Sequence, residues 1–313
     1  MLEDCPPETL GRTYAQYMDE MTWSLGAVRT INRKRREFKL DSVRELTEEE
    51  FNRFASDVNL LRSLGGHHLI AALVDKLNAV VQIEVKLHEN PHLIQDERFR
   101  YRGVSVVDAF LGELTAFRSR IQALVDHHLP DYSGRIRGVF GQFHDDNAQY
   151  RLAWELRNSS QHGVGATRHF QMAASDDGPR WTVGLAALFA DHRGERRWEV
   201  AAALWRSTEL VNVMVVFHGA YEASSQALAV LLVENEPAIL TVIDRFAQAI
   251  AEGVGTEPGF PAAWSIVSID ETTINFNQFG FEPVVLGDAI SSLQGARKIL
   301  GLPASERFRA DPG

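Results

Sequence analysis

Apolar residues recur at intervals of three and four along most of the chain, and glycine or proline repeatedly interrupts them. Because this spacing places apolar side chains on one face of an α-helix, it predicts a mainly helical fold. The clearest runs cover residues 67–88 and 104–129, and they stop at Pro91 and Pro130. A chain of 313 residues, 45% of them hydrophobic, is long enough for one large domain or two modest ones.

Local signals predict where further helices begin and how far they run. Thr47 and Glu50 have the spacing of a capping box, which predicts that a helix begins there. Apolar spacing also predicts helices over residues 8–31 and 135–162. The same spacing over residues 198–233 predicts another helix, in one or two pieces. Polar residues interrupt the most apolar part of this stretch at near-helical spacing, which predicts a buried or half-buried helix and no membrane span.

Turn-forming and linker-like residues suggest how the chain is divided. Residues 175–179 combine acidic residues with Gly and Pro between two short runs, which predicts a β-hairpin near 168–189. The stretch 253–261 is rich in Gly and Pro, which predicts a linker. Strands are expected shortly after it. The predicted parts are an N-terminal helical segment over 1–44, a helical bundle over 45–253, and a small α+β extension over 254–313.

Charge and cysteine content narrow the functional classes. The formal net charge of −10 argues against a dedicated, strongly basic nucleic-acid binder, although an enzyme with a local basic cleft remains compatible with it. Cys5 is the only cysteine, so neither a disulfide framework nor a thiolate metal site is possible. The acidic N-terminus lacks the apolar region of a signal peptide. These features predict a cytoplasmic protein without a membrane anchor.

The most informative motif is Arg157–Asn158 followed by His162 and Gly163 at the end of an amphipathic run. RNA carries its own nucleophile, the 2′-OH, so cleavage requires proton transfer and stabilisation of negative charge on phosphorus. His162 is the candidate acid and base because an imidazole titrates near neutral pH. Arg157 is a permanent cation that can donate two hydrogen bonds to a phosphate, and Asn158 can orient either group. This set can cleave RNA without a metal.

Spacing alone is weak evidence for the motif. The chain has 11 His residues and enough Arg that roughly one Arg-x4-His pair is expected by chance, and Arg62 with His67 forms a second one. On a continuous α-helix, residues five apart differ by about 140° around the axis. Either the helix ends before His162, which the following glycines favour, or two copies of the chain share one cleft.

Residues 150–165 resemble the R-x4-H motif of HEPN-domain ribonucleases, in which a polar residue follows the Arg. The resemblance implies a HEPN-like helical bundle, here with an inserted β-hairpin and the small α+β C-terminal extension. It implies a metal-independent endoribonuclease that leaves 2′,3′-cyclic phosphate ends, with catalytic Arg157, Asn158 and His162 and no cofactor. It also implies RNA as substrate, a homodimer with a shared cleft, and a toxin or anti-phage effector with an antitoxin or defence-system partner.

Residues 96–102 alternate arginines with aromatic residues, which can bind phosphates and stack bases. Arg98, Arg100 and Arg102 are therefore candidate RNA-binding residues. The alternation also predicts that this stretch is a short exposed strand or loop.

Two other functional classes stay open. A catalytically inert helical interaction or assembly module would show the same helical patterns. A metal site is a third hypothesis, because His67–His68, His127–His128 and His144–Asp146 lie near expected helix ends, but none has the spacing of a helical metal-binding pair. No Gly-x-Ser-x-Gly elbow and no Gly-rich loop with Lys occurs, so a serine hydrolase and an ATPase are not expected.

Overall fold

A computed structural model describes most of the chain: residues 23–32, 37–161, 166–175, 178–206, 208–254, 259–269, 274–280 and 282–305. These residues form a mainly helical protein with two small antiparallel sheets, which confirms the predicted fold class at this coarse level. The chain divides into two compact units. The first contains Met1–Arg62 and Pro237–Ala289, and the second contains Ser63–Glu236 and Ile290–Gly313.

The described elements follow each other along the chain in this way. The helices are α1 (Glu48–Leu64), α2 (Gly66–Glu89), α3 (Glu97–His128), α4 (Ser133–Asp146), α5 (Ala148–Gln161), α6 (Leu185–Asp191), α7 (Arg196–Leu204), α8 (Val213–Glu234), α9 (Glu236–Val254) and α10 (Val284–Ile299). The strands are β1 (Trp23–Asn32), β2 (Glu37–Leu46), β3 (Phe170–Ser175), β4 (Gly178–Gly184), β5 (Leu210–Asn212), β6 (Phe260–Ile269) and β7 (Ile274–Gly280).

The helix predicted over residues 8–31 is wrong where the structure describes that stretch, because residues 23–32 form β1. Trp23, Leu25 and Ala27 are buried at the two-residue period of a strand, a pattern that the helical spacing obscured. The four-stranded sheet has the order β2-β1-β6-β7, with all neighbours antiparallel. The predicted N-terminal segment and C-terminal extension therefore share one sheet, and they are not separate parts of the fold.

Helix α1 begins as the capping box predicts. The Thr47 backbone N–H donates to a Glu50 carboxylate oxygen at 3.0 Å, and the Glu50 N–H donates to the Thr47 hydroxyl at 3.2 Å. These bonds satisfy donors that a helix N-terminus otherwise leaves free. Further along α1, the carboxylate of Asp57 accepts hydrogen bonds from two guanidinium nitrogens of Arg245 in α9 at 2.6 and 2.9 Å.

Long helices dominate the second unit. Helix α8 is buried along most of its length, as expected for the buried or half-buried helix predicted there. Its Phe217 stacks on Phe110 of α3 with ring centroids 4.4 Å apart. Of the one or two helical pieces predicted over residues 198–233, the structure has two, α7 and α8, with the short strand β5 between them.

The predicted hairpin near 168–189 is present, but it is shorter than expected. Strands β3 and β4 pair antiparallel, and Gly178 at the start of β4 has a φ of +102°, which glycine adopts without strain. Strand β4 ends at Gly184, and the residues that follow form α6. Strand β5 pairs with β4 and completes a three-stranded sheet.

Two other local predictions are wrong. The stretch 96–102 is the first turn of α3 and neither a strand nor a loop, because the Asp96 side chain accepts hydrogen bonds from the N–H groups of Arg98 and Phe99 and caps the helix. The continuous helix predicted over 135–162 is α4 followed by α5. Asn147 separates them, and its side-chain oxygen accepts a hydrogen bond from the N–H of Tyr150 at 2.7 Å.

Among the described residues, no single helix is both long enough and apolar enough to cross a membrane. Helices α8 and α9 reach that length and apolarity only when they are taken together across a bend.

Candidate functional site

The motif residues Arg157 and Asn158 lie in the last turns of α5. Much of this helix is in the core, and Leu152, Ala153 and Leu156 are fully buried. Helix α5 packs against α3, α4, α7 and α8, so neighbours on several sides fix its position. Arg157 and Asn158 are each partly exposed, which leaves them available to a ligand while the helix that carries them is held in the core.

The guanidinium group of Arg157 is held by neutral groups of its own helix. Its Nη1 donates to the Asn158 side-chain oxygen at 2.9 Å, and its Cζ lies 5.4 Å from the centroid of the Trp154 ring. Its Nε is buried and has no hydrogen-bond partner among the described residues. Burial lowers the pKa of the Arg157 guanidinium, although arginine remains charged in proteins at neutral pH.

A second arginine, Arg118 of α3, approaches the same tryptophan. Its Cζ lies 5.0 Å from the Trp154 ring centroid and 5.3 Å from that of Phe140 in α4. Within the described part of the chain, neither Arg118 nor Arg157 forms an ion pair with a carboxylate. Sequence reasoning missed Arg118, because nothing local to it signals that the packing of α3 on α5 brings it to the motif.

The structure does not describe the position of His162, so the predicted arrangement of Arg157 with His162 stays a prediction. The described part of α5 ends at Gln161. The residue just before that end, Ser160, donates a hydrogen bond from its hydroxyl to Asp108 of α3 at 3.1 Å.

The three other predicted RNA-binding residues, Arg98, Arg100 and Arg102, are exposed in the first turns of α3. On a helix, Arg98 and Arg102 share a face, whereas Arg100 points to another side. Arg102 and Arg118 are about 24 Å apart along the axis of the same helix. The structure therefore does not bring these three arginines together with Arg157, and their role in RNA binding stays a prediction.

A buried polar chain that the sequence did not reveal lies on the side of α5 away from Arg157. Ser159 and the His192 ring nitrogen Nε2 are 3.1 Å apart, and His192 Nδ1 is 2.8 Å from a Glu195 carboxylate oxygen. Because a carboxylate only accepts, Nδ1 donates to Glu195, and in the neutral form of the ring Nε2 accepts from the Ser159 hydroxyl. Arg197 also donates to Glu195, and hydrogen bonding by His192, followed by that of Arg197, lowers the pKa of the Glu195 carboxyl.

The order serine, histidine, carboxylate is that of a hydrolase triad, but burial argues for another role. Ser159 is 1% exposed and His192 is 4% exposed. The His192 ring also stacks on Trp198 with centroids 4.5 Å apart. The chain therefore connects the end of α5 to α7 through a hydroxyl that substrate does not reach.

Glu155, one turn before Ser159, is also buried, with 3% of its surface exposed. Its carboxylate lies 3.4 Å from His144 Nε2 and 3.6 Å from Arg197 Nε. Together with the serine and histidine chain, these contacts make this face of α5 a continuous polar network.

Metal-binding geometry is not found in the described residues, where no group of three His, Cys, Asp or Glu side chains could hold an ion. The rings of His127 and His128 lie 6.4 Å apart, and His144 contacts Asp145 and Glu155. The side chains of His67 and His68 lie outside the described residues.

Comparison of the chain with models of known protein families, with curated proteins and with solved structures finds no match. The geometry around Arg157 and the resemblance of the motif are therefore the basis for a functional proposal.

Proposed function

We propose that this protein is a metal-independent endoribonuclease of the HEPN type, with a HEPN-like helical bundle around α5. The observation that carries the proposal is the partial burial of the Arg157 guanidinium without a carboxylate partner in the described chain. Its guanidinium is partly desolvated, its Nε is buried without a hydrogen-bond partner, and no carboxylate of the described chain pairs with it. Removing a cation from water without an anionic partner is unfavourable, and a phosphate would supply that partner.

In the proposed reaction the substrate 2′-oxygen attacks the adjacent phosphorus. His162 accepts the 2′-OH proton, the bond between phosphorus and the 5′-oxygen breaks, and the protonated His162 delivers that proton to the departing 5′-oxygen. Arg157 donates to the phosphate oxygens, on which negative charge increases in the transition state. Asn158 holds the guanidinium through its side-chain oxygen, as it does in the free protein. The products are a 2′,3′-cyclic phosphate and a 5′-hydroxyl.

The wider context follows from the resemblance of the motif. The substrate is RNA in the cytoplasm, and two copies of the chain form a shared cleft. The protein acts as a toxin or anti-phage effector that an antitoxin or another defence-system protein controls. The alternative to this proposal is a catalytically inert helical module for interaction or assembly.

The test is cleavage of total RNA by purified protein in EDTA. We expect wild type to leave cyclic phosphate ends, and His162→Ala and Arg157→Gln to lose at least about 100-fold in rate. Asn158→Ala should lose less, because Asn158 transfers no proton. His218→Ala and Arg53→Gln are matched controls, since both residues are exposed and form i,i+4 surface pairs. Both should cleave as wild type does.

Three results would contradict the ribonuclease. Cleavage by His162→Ala at the wild-type rate would remove the proposed acid and base. Loss of wild-type cleavage in EDTA with recovery on adding a divalent metal would indicate metal catalysis. An intact RNA pool after incubation with wild type, in buffer and in cell extract, would favour the interaction module.

A further inference from the structure

Arg118, Trp154 and Arg157 form a single cluster that joins α3 to the motif helix α5. The two guanidinium carbons lie 5.0 and 5.4 Å from the centroid of the same indole ring. These distances place the two cations within about 10 Å of each other. Phe140 contacts Arg118 from α4, so two aromatic rings hold this side chain in place.

The cluster differs from several arginine sites at which a carboxylate of the described chain neutralises the guanidinium. Arg151 pairs with Asp145, Arg245 with Asp57, and Arg297 with Glu236. Arg118 and Arg157 instead pack on aromatic rings, and no described carboxylate neutralises them. Because the chain carries a formal net charge of −10, two adjacent unpaired cations are a local exception to its overall charge.

We propose that Arg118 and Arg157 bind neighbouring phosphates of one RNA strand, with Trp154 holding both guanidinium groups in position. This inference rests on the proposed function and adds Arg118 as a binding residue. Each guanidinium can take a phosphate of its own, because consecutive phosphates follow each other closely along a nucleic-acid strand, at ~3.4 Å of axis per phosphate in one strand of a DNA duplex. Guanidinium groups held on an aromatic ring lose little freedom when they bind phosphate oxygens.

The test is binding of a single-stranded 2′-O-methyl oligoribonucleotide, measured in EDTA at several NaCl concentrations. This probe lacks the 2′-OH nucleophile, so binding is measured separately from cleavage. We expect Arg118→Gln to weaken binding about ten-fold and to reduce the slope of log affinity against log salt by about 0.7. Arg118→Lys should keep the slope and lose less affinity, because it keeps the charge without the planar fork. Arg53→Gln makes the same change in net charge and should bind within two-fold of wild type.

Several outcomes would overturn the inference. One is an affinity of Arg118→Gln for the probe equal to that of Arg53→Gln. Another is a loss of affinity in Arg118→Gln without a change in the salt dependence, which would indicate a purely structural role. Displacement of the probe by inorganic phosphate at the same concentration would show a site for one phosphate only. No binding by wild type would also reject it. If probe binding depends on Arg118 but wild type does not cleave unmodified RNA, the result would support this inference and reject the ribonuclease.

Discussion

At the scale of single residues, the last turn of α5 is held by side chains whose hydrogen bonds water cannot replace. The Ser159 hydroxyl and the His192 ring are both buried, and each satisfies the other at 3.1 Å. An unsatisfied buried polar group costs about 1–3 kcal/mol, which is a large share of the stability of a typical domain. The adjacent Ser160 bonds to Asp108 at the surface, where water can substitute for the lost partner.

This difference predicts that Ser159→Ala and Ser160→Ala have unequal effects on stability. Ser159→Ala leaves Nε2 of His192 without its donor and should lower the free energy of unfolding by about 1–3 kcal/mol. Ser160→Ala removes a hydroxyl from the next residue of the same helix and should lower the free energy of unfolding by less than about 1 kcal/mol. Urea unfolding of the two variants and wild type measures both values. Equal values for the two serines would show that the buried contact to His192 does not stabilise α5.

At the scale of elements, the long helix α3 contains glycines in opposite environments. A Cβ at Gly103 would lie 2.5 Å from Trp181 of β4, whose side chain is 2% exposed. A Cβ at Gly112 would meet nothing within 4 Å. Glycine inside a helix is unfavourable by itself, so Gly103 is needed for the approach of the β3-β4-β5 sheet, whereas Gly112 has no such role in packing.

Alanine at these positions should therefore shift stability in opposite directions. Gly103→Ala should destabilise the protein by about 1–3 kcal/mol, because Trp181 is too deeply buried to move freely. Gly112→Ala should stabilise it by up to ~1 kcal/mol through helix propensity. Thermal unfolding followed by circular dichroism compares the two variants. A stabilising Gly103→Ala would mean that β4 packs less tightly on α3 than the structure shows.

At the scale of the whole molecule, one sheet depends on strands from both ends of the chain. In β6, Ala263 pairs with Leu25 of β1 on one side and with Phe279 of β7 on the other. Strands β1 and β2 form a hairpin, and an isolated two-stranded hairpin is marginally stable in water. The N-terminal strands therefore require β6 for their stability.

Proline at Ala263 should release strands that are distant in sequence. Ala263→Pro removes an N–H from a central strand, which proline does not tolerate, and should increase hydrogen exchange over residues 23–46 as well as 260–280. Ala263→Gly keeps the N–H and is the matched control, with a smaller effect expected. Hydrogen exchange measured by mass spectrometry distinguishes the two variants. Increased exchange confined to residues 260–280 would show that the N-terminal hairpin is stable without β6.

The amino-acid sequence by itself determined the features whose signals lie within a few residues. The capping box at Thr47, the pairing of β3 with β4 and the apolar period of α2 were all predictable, because helix hydrogen bonds, caps and hairpins join residues that are near neighbours in the chain. The motif pair Arg157–Asn158 was visible for the same reason, as was the helical character of the residues before it, although the break between α4 and α5 was not predicted.

Only the tertiary structure decided which distant surfaces meet. Strand β1 exists because β6 pairs with it, although its sequence also fits a helical period. Arg118 approaches Arg157 because α3 packs on α5. His192 precedes α7, and it contacts Ser159 because α7 also packs on α5. These contacts join side chains that are far apart in sequence, so they form only when the whole fold packs. No local pattern in this chain predicts that packing.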